Sequence, residues 1–229
     1  MYDKDYEELK KLCHQLGVAT PPRCFITVMV SKDGKELSKY QDRAHSWTRN
    51  GWILFFAAIT NCSGDSLNTF GAGYMSGRNT SGTVFSSTSQ IQTASSGYTT
   101  SVGSLGRGIS IGTDNTAFDV DQYGLQAMIA HGTGEGQMTH QATVQAIPVY
   151  TGASKLWSVD WERESANNSG ANIIVREIGL FAGVLFFGGG AYDSFLLARD
   201  VLGAAITVPN GGVVTVTFTM EQDYTDIDS

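Results

Sequence analysis

Charged residues are scarce in this 229-residue chain, where they make up 16% of the total, against roughly 25% in an average soluble protein. This scarcity excludes a coiled coil or a helical bundle, because both need abundant Ala, Glu, Lys and Leu. Uncharged Ser, Thr, Asn, Gln and Gly supply the polarity instead, and 27 residues are glycine. A hydrophobic fraction of 41% argues against global disorder and is sufficient for a real core.

Basic residues, cysteines and long apolar runs are also in short supply. The 15 Lys and Arg residues against 22 Asp and Glu give a net charge of -7, which makes nucleic acid a poor partner. Three widely spaced cysteines indicate free thiols in a protein made in a reducing cytosol. The longest apolar runs, residues 52–59 and 178–187, are shorter than the ~18 residues of a membrane-spanning helix. We therefore expect neither a membrane partner nor, from the charged residues after Met1, a signal peptide.

Alternation of apolar and polar residues predicts a mainly β protein, an antiparallel and jelly-roll-like β-sandwich. Short strands separated by turn signals at intervals of about 8–12 residues are typical of this class. The Asp33-Gly34 pair predicts a hairpin between two strands. A closing hairpin is predicted to join 205–208 to 213–220 through Pro, Asn and Gly residues, and 144–150 is predicted to form one strand.

Two helices interrupt the β pattern. Leu9, Leu12 and Leu16 recur at helical spacing in a charged N-terminal segment, so their apolar stripe needs a surface to cover. A second helix, buried because it is nearly all apolar, is predicted near 46–60. We expect the N-terminal helix and the Gly/Ser/Thr-rich segment to contact another chain. The predicted organisation is a helical arm at 1–22, a sandwich at 23–62 and 109–221, a Gly/Ser/Thr-rich insertion at 63–108 and an acidic tail at 222–229.

Metal binding and phosphate binding are disfavoured by the residue spacing. His131, Glu135 and His140 have side chains that ligate metals. However, the histidines lie nine positions apart in the sequence, and a second carboxylate is missing. No Lys or Arg follows the glycines between them, so a phosphate would not be held there. We interpret the segment as a polar loop, and we expect no cofactor and no metal.

Catalysis is disfavoured as well. No serine lies in the Gly-x-Ser-x-Gly pattern of a nucleophile elbow. Asp160, Glu162 and Glu164 could suggest the paired carboxylates of a glycosidase. On a strand, however, these three residues share the face opposite Trp157 and Trp161, as on a solvated sheet surface. We therefore expect no catalytic residues and no enzymatic activity.

Two ionic dipeptides, Arg176-Glu177 and Arg199-Asp200, stand inside strongly apolar predicted strands. A charge among Ile, Val, Leu and Phe must pair or reach the surface. Neighbouring residues on a strand point to opposite faces, so neither dipeptide pairs internally. A cross-strand pair, Arg176 with Asp200 or Glu177 with Arg199, would fix the register of the two strands. We interpret these four residues, with Trp47, Trp157 and Trp161, as structural or interface residues.

Six stretches of the chain carry a family resemblance. They are residues 43–50, 108–113, 172–181 (Asn-Ile-Ile-Val-Arg-Glu-Ile-Gly-Leu-Phe), 196–202, 206–211 and 214–218. These stretches resemble recurrent elements of tailed-bacteriophage virion proteins, and the Glu-Ile-Gly-Leu-Phe run is similar to the assembly-end domains of tail-collar fibre proteins. The segment 63–108 departs from the compact pattern of such proteins.

The resemblance implies a structural protein of the phage particle, made in the host cytoplasm and incorporated into the virion. A head-decoration (auxiliary or minor capsid) role and a neck, tail or fibre-attachment role remain open. Its expected partners are copies of itself, as a trimer, and other virion proteins such as the major capsid protein or tail and neck proteins. A different class, a carbohydrate- or receptor-binding module, would use Tyr150, Trp157 and Trp161 as stacking platforms.

Overall fold

The computed structural model describes residues 4–16, 22–44, 46–53, 76–86, 97–185 and 192–224. One helix, α1 (Lys4–Leu16), precedes the strands, and residues 49–53 are helical as well. The strands are β1 (Arg23–Lys32), β2 (Lys35–Arg43), β3 (Ser76–Arg78), β4 (Val84–Ser86), β5 (Gly108–Gly112), β6 (Thr139–Gln145), β7 (Val149–Thr151), β8 (Leu156–Ala166), β9 (Ile173–Leu185), β10 (Tyr192–Val208) and β11 (Val213–Asp223).

Two antiparallel sheets pack against each other and form a β-sandwich, which confirms the predicted fold class. The first sheet has six strands in the order β2-β1-β11-β8-β6, with β7 also paired to β8. The second sheet has the order β10-β9-β5, and β3 pairs separately with β4. The first and last strands, β1 and β11, are thus neighbours, and they pair from Arg23 opposite Glu221 to Ser31 opposite Val213.

The main core lies between the two sheets and follows from the period-two pattern of the strands. Val28 on β1 and Phe218 on β11 are at most 1% exposed and come from the first sheet. Ile109 on β5 and Leu180 on β9 meet them from the second sheet. Such alternation, with polar residues on the opposite face, is what a sheet with one solvated face requires.

The second sheet is buried on both faces. Leu196 and Leu197 are neighbours on β10 and point to opposite sides, yet they are 0% and 2% exposed. Leu197 belongs with Ala182 and Phe195 to a small apolar cluster against which Trp47 and Tyr98 pack. Leu196 lies opposite Phe181 on the other face, near Leu125 of the loop that covers it. Burial on both sides explains why this part of the sequence reads as a continuous apolar run.

The closing hairpin predicted from the sequence is wrong. β10 pairs with β9 in the second sheet, whereas β11 pairs with β1 and β8 in the first. The turn at 209–212 therefore carries the chain from one sheet to the other. Pro, Asn and Gly mark the reversal of direction correctly, but they do not determine which strand becomes the hydrogen-bonded neighbour.

The strand predicted at 144–150 is divided into β6 and β7. Pro148, which has no N–H to donate, lies in the break between them. Ala146 still donates its N–H to the carbonyl of Asp160 at 2.8 Å, so the chain continues to follow β8 across the break. Together, β6 and β7 form one interrupted edge of the six-stranded sheet.

The N-terminal helix is confirmed, and the second helix is confirmed only in part: residues 49–53 are helical, but Trp52 is 48% exposed, so this helix is not fully buried as predicted. α1 spans 4–16, and its residues Leu12 and Leu16 are 50% and 65% exposed, so much of the apolar stripe lies uncovered. The second helix begins at Arg49, and residues 54–60 of its predicted range lie outside the described residues. Within the described ranges, no helical segment has the length and apolar character needed to cross a bilayer.

Two predicted domain boundaries differ from the structure. Residues 97–107, assigned to the insertion, pack on the sandwich: Thr100 bridges to Thr143, and Tyr98 lies 4.9 Å from Trp161 between ring centroids. The acidic tail was predicted from 222, but β11 continues to Asp223, which is buried. Residues 63–75 and 87–96 of the insertion and 225–229 of the tail lie outside the described residues.

Substitution of Phe218 by alanine tests the assignment of the main core. We expect Phe218→Ala to lower the free energy of unfolding by about 3–5 kcal/mol, because it removes a buried ring and leaves a cavity. The neighbouring Thr217→Ala removes only a partly exposed hydroxyl that donates to Glu162 at 3.2 Å, so its cost should stay near ~1 kcal/mol. Urea denaturation measures both; equal costs would contradict the assignment of the two faces.

Candidate functional site

A fully buried ion pair joins the two long strands of the second sheet. The Arg199 Nε donates to Glu177 Oε2 at 2.6 Å, and both side chains are 0% exposed. Arg199 faces Gly179 on the neighbouring strand, and Glu177 faces Val201, so the pair is diagonal across β9 and β10. Of the two cross-strand pairings considered from the sequence, the structure forms this one.

The ion pair holds the loop between β5 and β6 against the outer face of the second sheet. Arg199 donates to the carbonyl of Thr116 at 2.9 Å and to Gln122 Oε1 at 3.1 Å. Glu177 accepts hydrogen bonds from the N–H of Ala127 at 2.8 Å and, more weakly, of Gln126 at 3.2 Å. Both charges are thus surrounded by hydrogen-bond partners, which a buried ion pair needs in order to repay its desolvation.

Glycine makes room for this network. Gly112 on β5 lies directly opposite Glu177 on β9. A side chain at Gly112 would collide with the Glu177 carboxylate and with the carbonyl of Ala127. The space left by the missing side chain is therefore filled by the acid and by the loop that it binds.

The other two members of the ionic dipeptides lie elsewhere. Arg176 donates to the carbonyl of Thr113 at 3.3 Å, where it helps to fix the start of the same loop. Asp200 is 5% exposed and lies close to Cys24. Burial, reinforced by the negative charge of Asp200, raises the pKa of the Cys24 thiol to about 12. Cys24 is therefore a protonated core residue rather than a reactive thiolate.

Arg163 is a second buried cation, which the sequence reasoning missed. It donates to three carbonyl oxygens, those of Gln141 at 2.8 Å, Ile109 at 2.6 Å and Ser104 at 2.6 Å. Burial lowers its pKa to about 10. Its position on β8, two residues after the inward-facing Trp161, is the signal that could have revealed it. The side chain ties β6, β5 and the 97–107 segment to one point.

His140 is a core histidine and not a metal ligand. Its ring is 1% exposed; Nε2 lies 3.0 Å from the carbonyl oxygen of Ile129 and Nδ1 2.8 Å from the hydroxyl of Ser165. Because a carbonyl only accepts, Nε2 carries the proton and Nδ1 accepts from the serine. Burial lowers the pKa of His140 to about 4. The described residues contain no group of three or more His, Cys, Asp or Glu that could hold a metal ion.

The three tryptophans have different environments. Trp161 is 5% exposed and donates its Nε1–H to Gln145 at 3.0 Å, so the prediction that it is a stacking platform is wrong. Trp157 is partly exposed and lies directly opposite Tyr150, which is 59% exposed. Trp47 bridges to Ala198 at the edge of β10 and packs against both the main core and the small apolar cluster. Trp161 and Trp47 are thus packing residues within the chain.

The carboxylates of β8 lie on the solvated face, as predicted. Glu162 and Glu164 are exposed, and Asp160 is partly exposed on the same side of the first sheet. Alternate residues of β8 on the other side are buried. The row of acids therefore gives one face of the six-stranded sheet a negative charge.

Three of the four edges of the two sandwich sheets are covered or charged. In the second sheet, Trp47 bridges to Ala198 beside β10, and Met128 bridges to Gly112 beside β5. In the first sheet, the outer strand β2 carries five charged residues among nine and is almost wholly exposed. Charged side chains and covering loops are the usual protection of a strand edge against pairing with another chain.

The fourth edge carries no charged residues, and the described segments cover only part of it. Segment 97–107 covers the first part of β6, where Thr100 donates to the carbonyl of Thr143 at 3.2 Å. Beyond Thr143 no described strand lies on the outer side of β6 and β7. We call residues 144–151 the free edge. Its exposed apolar residues, with their exposed fractions, are Val144 55%, Ile147 86%, Val149 55% and Tyr150 59%.

Comparison with protein-family models, with curated proteins and with solved structures found no match to this chain. The function is therefore inferred from the residues of this chain and their geometry. The buried charges stabilise the arrangement of loops and strands, and the free edge is the surface that this arrangement leaves available for contact.

Removal of the buried carboxylate tests the ion pair. We expect Glu177→Gln to lower the free energy of unfolding by about 3 kcal/mol, because it leaves the buried Arg199 cation with only the partly exposed Asp114, at 3.4 Å, as a counter-charge. The exposed pair Arg49–Asp121, at 2.8 Å with side chains 63% and 52% exposed, provides the control. Asp121→Asn should cost less than ~1 kcal/mol. Urea denaturation of both variants measures the two losses in the free energy of unfolding. Equally small losses would contradict the stabilising role of the buried pair.

The depressed pKa of His140 predicts a loss of stability in acid. The pKa falls from its ordinary 6.5 to about 4 on folding, so the unfolded chain binds more protons between these values. Stability is complete above about pH 6.5 and declines as the pH falls to about 4, by on the order of 3 kcal/mol from this group. His140→Gln should remove that part of the pH dependence, whereas His131→Gln, an exposed position, should retain it. Denaturation curves between pH 4 and 7 measure the difference.

Proposed function

We propose that this chain is a structural protein of a tailed-bacteriophage particle, which binds the head as a decoration or auxiliary capsid protein and acts without catalysis. The observation that carries the proposal is the free edge, an apolar and uncharged strand edge on an acidic protein whose other sheet edges are covered or charged. Exposed apolar surface of this kind is characteristic of interaction sites.

The position of the resembling stretches supports the same proposal. Residues 108–113, 172–181 and 196–202 fall on β5, β9 and β10, which are the three strands of the second sheet. Residues 214–218 fall on β11, at the centre of the first sheet. The resemblance thus concerns strands that build the core and the ion pair, which are the parts that a common fold would need to keep.

The N-terminal helix supplies a second contact surface in this proposal. Leu12 and Leu16 are exposed on α1, next to the exposed residues Lys11 and Gln15. An amphipathic helix with an uncovered apolar stripe is marginal by itself and is stabilised by docking. Neighbouring virion proteins or copies of this chain would provide the surface that these leucines bury.

A neck, tail or fibre-attachment role is the alternative within the same class, and copy number separates the two. A head-decoration protein should rival the major capsid protein in amount, whereas an adaptor of the neck or tail should be present in few copies. Quantitative mass spectrometry of purified particles measures this ratio. Absence of the chain from purified particles would overturn both roles.

A carbohydrate-binding role is favoured by one specific observation, the aromatic pair of Tyr150 and Trp157 on adjacent strands. Tyr150 is 59% exposed and would present a flat apolar face to a ligand, whereas Trp157 is partly buried against the main core and would support it from the adjacent strand. Binding on a glycan array that is lost in Trp157→Ala would support this role. Binding that persists in Trp157→Ala and Tyr150→Ala would exclude the pair as its site.

Substitutions on α1 test the role of the helix in the particle. We expect Leu12→Lys to reduce incorporation into particles roughly tenfold or more, because burial of a leucine side chain contributes about 1.5–3 kcal/mol. Gln15→Lys adds the same charge at an exposed position outside the leucine stripe and should leave incorporation unchanged. The amount per particle is measured by quantitative mass spectrometry, and thermal unfolding verifies that both variants fold. Equal incorporation of the two variants would contradict the role of the stripe.

A further inference from the structure

We infer that the free edge of the six-stranded sheet, residues 144–151, binds the same edge of a second copy of this chain. The two strands would run antiparallel about a two-fold axis and join two sandwiches through their larger sheets. The inference deepens the proposed structural function, because it names a surface and a partner for assembly through β-rich interfaces.

The side chains of this edge favour burial. Ile147 is 86% exposed, and Val144, Val149 and Tyr150 are each more than half exposed. Val149 and Tyr150 are neighbours on β7 and point to opposite faces, so exposed apolar side chains flank this edge on both sides of the sheet. The opposite edge of the same sheet, β2, has mainly charged and polar exposed side chains. The asymmetry between the two edges indicates that one is protected from pairing and the other is available for it.

Charge identifies a second copy as the partner. The chain carries a net charge of -7, so two copies repel each other over much of their surfaces. The 19 residues from 136 to 154 include no Asp, Glu, Lys or Arg, and the low pKa of the buried His140 keeps that ring neutral near pH 7. Two copies of this segment can approach without placing like charges opposite each other. A partner with a charged strand would instead lose hydration of its charges with no counter-charge to meet them.

The length of the edge limits the contact to a pair. Thr143 is already bridged by Thr100 on one side, and Pro148 interrupts the ladder near the other end. Eight extended residues span about 26 Å at ~3.3 Å each. In a two-fold contact, each copy contributes the same edge strand. Once two copies have paired, neither has this edge left for a third chain, so the assembly closes as a dimer. This contact is two-fold, in contrast to the trimer expected from the family resemblance.

Association in solution tests the inference with a matched pair of variants. Sedimentation velocity over a range of concentrations should show reversible dimers of the full chain. Ile147→Lys should weaken dimerisation at least tenfold, because it places two lysines at the contact. Leu37→Lys adds the same charge on the opposite edge, at a residue 55% exposed, and should dimerise like the unmodified chain. A monomer at every concentration, or undiminished association of Ile147→Lys, would overturn the inference.

A cross-link identifies the contact itself. A photoreactive amino acid at Val144 should link to residues 139–151 of a second copy, and tandem mass spectrometry identifies the joined peptides. Links within the chain to β8, where Glu162 lies opposite Val144, are expected in any case. Links to any other segment of a second copy would overturn the inference. The experiment uses isolated protein, so dimers linked at this edge would stand even if the chain were absent from phage particles. Conversely, particles that contain monomers would leave the proposed function intact and refute the edge contact.

Discussion

The ion pair between Glu177 and Arg199 is the interaction on which the arrangement of this molecule depends. Both side chains are fully buried, and together they bind the backbone of the loop that covers the second sheet. The second sheet is apolar on both faces, so it needs cover on its outer side as well as on its inner side. A charge pair in that position links the cover to the sheet at defined atoms, which apolar packing alone would not do. The register of β9 against β10 follows from the same contact.

Arg163 and His140 apply the same principle at the other end of the sandwich. Each is a buried polar side chain that donates to backbone carbonyls of loops or neighbouring strands, and His140 also accepts a hydrogen bond from the Ser165 hydroxyl. A buried donor that lost its acceptor would cost more free energy than the bond contributes, so these loops are held with little freedom. The segment 97–107 is therefore fixed on the sandwich although its sequence resembles that of a linker.

Much of the fold could be predicted because β1 and most of β8 alternate between buried and more exposed residues, and the turn after β1 has an Asp-Gly pair. Asp33 and Gly34 both have positive φ, as such a hairpin turn requires. The partners of β11 could not be predicted, since the turn before it has the same residues whether the chain returns to the same sheet or crosses to the other. For the ion pair, charge and spacing reduced the choice to two pairings, and only the three-dimensional register selected Glu177 with Arg199. Arg163 was missed because a single cation on a mixed strand has the appearance of a surface residue.

One strand edge remains available because the described covering segments form their backbone hydrogen bonds with the other edges. Strand edges in the second sheet are bridged by neighbouring segments, and those segments are held in turn by the ion pair and by the adjacent packing of Trp47. In the first sheet, charge protects β2, and the loop fixed by Arg163 covers β6 only as far as Thr143. The buried charges thus determine the surface as well as the interior, because they set where each covering segment ends and which strand is left for a neighbour.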